Sequence, residues 1–132
     1  MGFIAVVVAG IGGFMFGAVW YTFFAKPWMA ASGVPLNEAG DAPANRSDPI
    51  PYITSIVGAI FVAGMMRHVF VLSGIDTVGA GLVAGLGIGL FLVSPWIATF
   101  YGFSARPFRL TLIDAGYATF GCAVIGTVLT LF

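Results

Sequence analysis

Four stretches without a charged side chain constrain this sequence more than any motif in it: Gly2 to Ala25, Pro49 to Met66, Thr77 to Ala105 and Ala115 to Phe132. Each reaches or exceeds the roughly 18 apolar residues that mark a membrane-crossing helix. Allowing polar residues at the helix ends, spans are expected at about 2–25, 50–72, 78–103 and 108–131. Residues 1–132 then form a single all-α membrane domain of four transmembrane helices in an antiparallel bundle. Composition agrees, with 60% hydrophobic and 8% charged residues, where a soluble domain carries about a quarter charged. A water-soluble fold of this length could not hide so much apolar surface, because roughly a third of the chain's surface stays exposed at this size. The bilayer is therefore the primary partner. Five basic and five acidic residues leave no net charge, and nucleic-acid binding has no electrostatic footing. The first run lacks a basic leader and exceeds the usual apolar length of a signal peptide, about 7–15 residues, so it is read as the first helix.

The links differ in kind. Ser32 to Pro51 is polar and Pro-rich, and proline cannot continue a helix interior, so 32–49 is expected as an extramembrane loop. Leu72 to Thr77 (LSGIDT) reads as a stop at Ser73-Gly74 and a restart capped by Asp76 or Thr77. FSARPF, Phe103 to Phe108, opens a second hairpin, with Pro107 suited to a first helical turn. Lys26, Arg46, Arg106 and Arg109 gather on the side of the first and third links, against Arg67 alone on the other. The positive-inside rule then places those links in the cytoplasm and both termini outside. Trp20, Tyr21, Trp28, Tyr52, Trp96 and Tyr101 lie near the same boundary, where rings with a polar handle act as interfacial anchors.

FFAKPW at Phe23 returns as FSARPF at Phe103, 80 positions on (103 − 23). At that offset Ala5 matches Gly85, Ala9 matches Gly89, Tyr21 matches Tyr101 and Lys26 matches Arg106. The correspondence allows two tandem two-helix repeats, related by an axis along the membrane normal. Ala5, Ala9, Gly13 and Gly17 on the first helix, and Gly81, Gly85 and Gly89 on the third, recur every fourth residue. Such small-residue faces (GxxxG) let helix backbones approach closely, within one chain or between chains.

Chemistry centres on Asp114. An acid in a membrane segment is costly and normally faces the bundle or a wet cavity. Leu110, Asp114, Tyr117 and Gly121 share one helical face, whereas Arg109 is rotated off it. A partner for Asp114 must then come from another helix, with Lys26 and Arg106 the natural cations. The candidate polar site is thus Asp114, Tyr117, Lys26 and Arg106, read first as a structural ion pair and second as a substrate or proton site. Arg67 and His68 read as snorkelling anchors, and Pro95 after Ser94 predicts a kink in the third span. Cys122 is a small buried hydrophobe. With no P-loop, dinucleotide motif, metal-ligand cluster or catalytic set, neither enzyme activity, a cofactor nor a metal is expected.

GAVWYTFFAKPWM at the first boundary and GFSARPFRLTLIDAGYATF entering the last span resemble the bacterial membrane family catalogued as domain of unknown function 1761. The resemblance runs over nearly the whole chain. It implies the four-span architecture and a bacterial inner membrane, and it carries over no catalytic residues. The expected function is a structural or accessory subunit, or a homo-oligomer, assembling through the Gly-rich faces of Ala9, Gly13, Gly17, Gly81, Gly85 and Gly89. The alternative is a small-solute or ion permease using Asp114 and Tyr117.

Overall fold

The computed structural model describes residues 2–132, and their regular structure is helical. α1 (Gly2–Phe23) is followed by the short α2 (Ala25–Ser32), α3 (Pro49–Ser73) and α4 (Val78–Ile88); a π-helical turn (Gly89–Val93) joins α4 to α5 (Ser94–Phe103), and α6 (Phe108–Leu129) ends the bundle. α1, α3, the continuous α4-π-α5 rod and α6 are each long and apolar enough to span a bilayer. Side chains such as Phe3, Phe61, Phe91 and Phe103 point outward, where hydrocarbon is their solvent.

The helix ends follow local chemistry. Asp48 caps α3 by accepting from the Ile50 N–H at 3.0 Å, with Pro49 in the first turn, where its missing N–H costs nothing. Gly74 closes α3 at φ 69°, and Thr77 Oγ1 restarts the chain by accepting from Ala80 N–H at 3.2 Å. The two copies of the charged phrase share one event: α1 ends at Phe23 and α5 ends at the equivalent Phe103. They then part. After Phe24 the chain re-enters a helix, because Pro27 sits in the first turn of α2, where no N–H is needed. After Phe103 it turns through Ala105, at φ 58°, and Pro107 stands in extended conformation before α6 instead of in its first turn.

α6 is the hub, packing along α1 on one side and along α4, the π turn and α5 on the other, while α3 leans chiefly on α1. Glycines set the spacing. A β-carbon at Gly10 would stand 2.7 Å from Ile60 Cα, one at Gly81 would stand 2.5 Å from the Gly126 carbonyl oxygen, and one at Gly89 would stand 2.5 Å from Thr119 Cα. Gly85 lies as tightly on the Cys122 carbonyl. The face of Gly81, Gly85 and Gly89 is thus covered by α6 of the same chain.

A dry core of Ala5, Ala9, Ala63, Met66, Phe70, Ile125 and Leu129 fills the end of the bundle that carries the termini. Toward the other end α3 and the α4-π-α5 rod, adjacent at their short link, make almost no contact. Between them opens a groove floored by α1 and α6. The segment 33–48 folds over its end as a small hairpin, with Asn37 N–H donating to the Ala42 carbonyl and Ala44 N–H to the Pro35 carbonyl, both at 2.8 Å.

Candidate binding site

Asp114 stands within two turns of the start of α6, half-buried in the groove wall. Each carboxylate oxygen accepts one phenolic hydrogen bond: Tyr21 donates to Oδ1 and Tyr101 to Oδ2, both at 2.5 Å. The donors are the two positions related by the 80-residue offset. α1 and the α4-π-α5 rod, lying on opposite sides of α6, therefore present equivalent tyrosines to one acid. Charge-assisted O–H···O bonds of this length are the strong kind.

How Tyr101 reaches Asp114 depends on the π turn. The residues of that rod facing α6 are Gly81, Gly85, Gly89, Ser94 and Tyr101. The five-residue step from Gly89 to Ser94 is closed in a single turn by the π geometry, since Ser94 N–H bonds back to the Gly89 carbonyl. At about 100° per residue, an unbroken α-helix would instead present Val93 and then Phe100. Pro95 cannot donate to the Phe91 carbonyl, which makes the rearrangement cheap here. Buried Ser94 secures it: its hydroxyl donates to the Gly89 carbonyl at 2.7 Å and lies 3.1 Å from the Ala115 carbonyl and from Thr119 Oγ1.

Tyr117, one turn below Asp114, donates to the Gly13 carbonyl at 2.9 Å and presses its ring on Gly17. The Tyr21 ring meets the rings of Tyr117 at 5.4 Å and Trp28 at 6.0 Å, both edge-on. Arg106 donates to the Ser32 carbonyl and holds its guanidinium carbon 6.0 Å from the centre of the Tyr101 ring, while Lys26 is exposed. So the structure brings Asp114 and Tyr117 together, and the hydrogen bonds to Asp114 come from phenols, not from the two cations considered. The reason is reach: the phenols leave the helices at the level of the acid, whereas both cations lie beyond the ends of α1 and α5. The boundary aromatics divide. Tyr21, Trp28 and Tyr101 line the groove, Trp20 donates to the Ile113 carbonyl at 3.0 Å, and Trp96 lies exposed against Phe100.

The groove encloses a cavity of about 990 Å³, at the upper end of the range for small-molecule sites. It runs from the hairpin at Asp41 and Arg46, past Tyr52 and Ser55 of α3, to Cys122 and Ile125 of α6. Tyr52 was marked in the sequence with the other boundary aromatics, whereas periodicity did not reveal Ser55 or the Ser94–Thr119 pair, for which the one available signal was Ser94 beside Pro95. Among the described residues no three His, Cys, Asp or Glu side chains converge as metal ligands.

Four helices long and apolar enough to cross hydrocarbon mark a multi-pass membrane protein, and a half-buried carboxylate stands in the wall of its cavity. The chain belongs to the family described as Protein of unknown function (DUF1761), whose model matches residues 4–130. No curated protein and no solved structure matches it.

Proposed function

We propose that this chain is a non-enzymatic permease of the bacterial inner membrane, taking a small amphipathic solute into the groove beside Asp114. The observation that supports this reading is the carboxylate in the wall of a cavity of about 990 Å³, with no helix filling the space between α3 and α5. An acid inside a membrane segment faces either the bundle interior or a wet cavity on a substrate or ion path, and Asp114 borders the cavity. Of the two small-residue faces expected to drive assembly, that of Gly81, Gly85 and Gly89 is occupied by the backbone of α6, and Gly13 and Gly17 are covered by the Ile125 and Tyr117 side chains of the same helix. Lys26, Arg46, Arg106 and Arg109 crowd the cavity end, so the positive-inside rule orients the groove mouth and hairpin to the cytoplasm, with both termini outside.

In a Cys122→Ala background, single cysteines at Val62 and Ile97, on the two banks of the groove, should react rapidly with a water-soluble maleimide in proteoliposomes. One at Phe61, exposed to lipid, should stay silent. Equal silence at all three would refute a wet path. Cysteines replacing Ser47 and Ser73 test the orientation: in intact cells an impermeant reagent should label the second and spare the first.

A second reading, a subunit or homo-oligomer, draws on α3, which leans on α1 and leaves most of its surface uncovered. A cysteine at Met65, exposed on that helix, would then cross-link between chains in native membranes.

A further inference from the structure

We propose that the groove selects a lipophilic monocation, its positive centre seated on Asp114 among the rings of Tyr21, Trp28 and Tyr101 and its apolar body directed toward Ile125. This rests on the solute-groove reading and names its ligand class. Three observations carry it.

First, the hydrogen-bond partners of Asp114 are neutral phenols. They satisfy two acceptor sites of an ionised carboxylate but supply no positive charge, and each oxygen keeps a lone pair toward the groove. A negative charge at half-burial in a low-dielectric slab calls for a cation. The nearby basic group, Arg106, is tied to the Ser32 carbonyl and the Tyr101 ring.

Second, the charged side chains lining the groove are Asp114 of α6 and Asp41 and Arg46 of the hairpin, two acids against one base. α1, α2, α3 and the α4-π-α5 rod contribute none. Asp41 and Arg46 stand together on the hairpin at the mouth, so the unbalanced charge of the lining is Asp114.

Third, the lining is aromatic around the acid and one turn below it at Tyr117, and aliphatic deeper still. Tyr21, Trp28, Tyr52 and Tyr101 gather on the charged level, whereas Val62, Val93 and Ile125 line the deeper part. Aromatic faces attract weakly hydrated cations and give anions no such stabilisation. The layering matches a cation that is apolar over most of its surface and charged at one point. Because the groove opens sideways between α3 and α5, such a group could arrive as a free solute or as the ammonium headgroup of a lipid. The chemistry recognised is the same.

The test uses the full chain in neutral maltoside micelles and three probes of similar shape: tetraphenylphosphonium, tetraphenylborate and uncharged triphenylphosphine oxide, read by tryptophan fluorescence and by equilibrium dialysis. The expected result is saturable binding of the phosphonium, binding of the borate weaker by about tenfold or more, and loss of phosphonium affinity by about tenfold in Asp114→Asn, restored in Asp114→Glu. Should Asp114→Asn not fold, the charge-reversed pair on the unaltered protein decides alone. Phosphonium affinity, corrected for partition into protein-free particles, that is lower in phosphatidylcholine nanodiscs than in the ammonium-free maltoside micelles assigns the site to a lipid headgroup; equal affinity assigns it to a free solute. Borate binding as tight as phosphonium, or phosphonium affinity unchanged in a folded Asp114→Asn, overturns the proposal. Saturable binding of the uncharged oxide with both ions silent also overturns it while leaving the solute groove standing; silence of all three probes overturns both.

Discussion

Replacing Tyr21 by Phe should destabilise the bundle by about 1–2 kcal/mol in the native background and by almost nothing once Asp114 is replaced by Ala. The two phenols meet the carboxylate at 2.5 Å, and hydrogen bonds to charged groups contribute about 1.5–3 kcal/mol. Interhelical hydrogen bonds measured inside bilayers are weaker, averaging about 0.6 and reaching about 1.7 kcal/mol, because the unfolded chain in lipid also finds partners. Asp114 combines the two cases, so a coupling near the upper bilayer value follows. Asp114→Ala suits the cycle because the side chain borders the groove, and its loss merely enlarges an existing cavity. The two tyrosines should differ despite their equivalent positions. Tyr21 is wedged between the rings of Trp28 and Tyr117, whereas Tyr101 lies at the rim beside Arg106, where water can replace its bond. Coupling at Tyr21 should therefore exceed that at Tyr101. Reversible unfolding in mixed micelles, followed by tryptophan fluorescence over the four members of each cycle, measures both. A coupling at Tyr21 under about 0.3 kcal/mol, within the additivity error of independent sites, would refute the bridging role of the acid.

Gly85→Leu and Gly87→Leu stand two residues apart on one helix and should behave oppositely. A β-carbon at 85 drives into the Cys122 carbonyl while one at 87 meets open space, so thermal denaturation should show a loss of about 3 kcal/mol for the first and a change within about 0.5 for the second. Ala105→Gly should raise stability by about 0.5 kcal/mol in chemical denaturation. It relieves a left-handed residue at φ 58°, worth about 1 kcal/mol or more, offset in part by the greater freedom of glycine in the unfolded chain. Ser94→Ala should lower stability by about 1–2 kcal/mol and, by freeing the π turn, weaken the Tyr101–Asp114 coupling while sparing that of Tyr21. Double-mutant cycles in the Ser94→Ala background check this.

The split between Gly85 and Gly87 shows how much was legible beforehand. Every-fourth spacing marked Gly81, Gly85 and Gly89 as a close-contact face, and membrane packing does favour such faces. That the partner would be α6 of the same chain was beyond any pattern of period, because a small-residue face fits any second backbone equally well. The same holds for Asp114. Its cost in hydrocarbon marked it as the polar centre, and helical spacing placed Tyr117 with it, but a residue's cost says nothing about who answers it. Charge alone pointed to Lys26 and Arg106, and the donors proved to be Tyr21 and Tyr101.

By itself the sequence settled whatever hydrocarbon enforces locally. Without water, each backbone must close its own hydrogen bonds, so four long uncharged runs become four helices, and prolines, glycines and cations end them near the expected residues: the third span stops at Phe103 as expected, and the first stops at Phe23, short of 25, before the additional helix α2. Which helices touch, and what lies between them, was decided only in three dimensions. Lipid rewards no particular pairing of apolar rods, so the choice fell to steric fit at glycines and to one five-residue π turn. That turn rotates Tyr101 onto the face of α6, where its phenol and that of Tyr21 converge on Asp114 at the edge of an open groove.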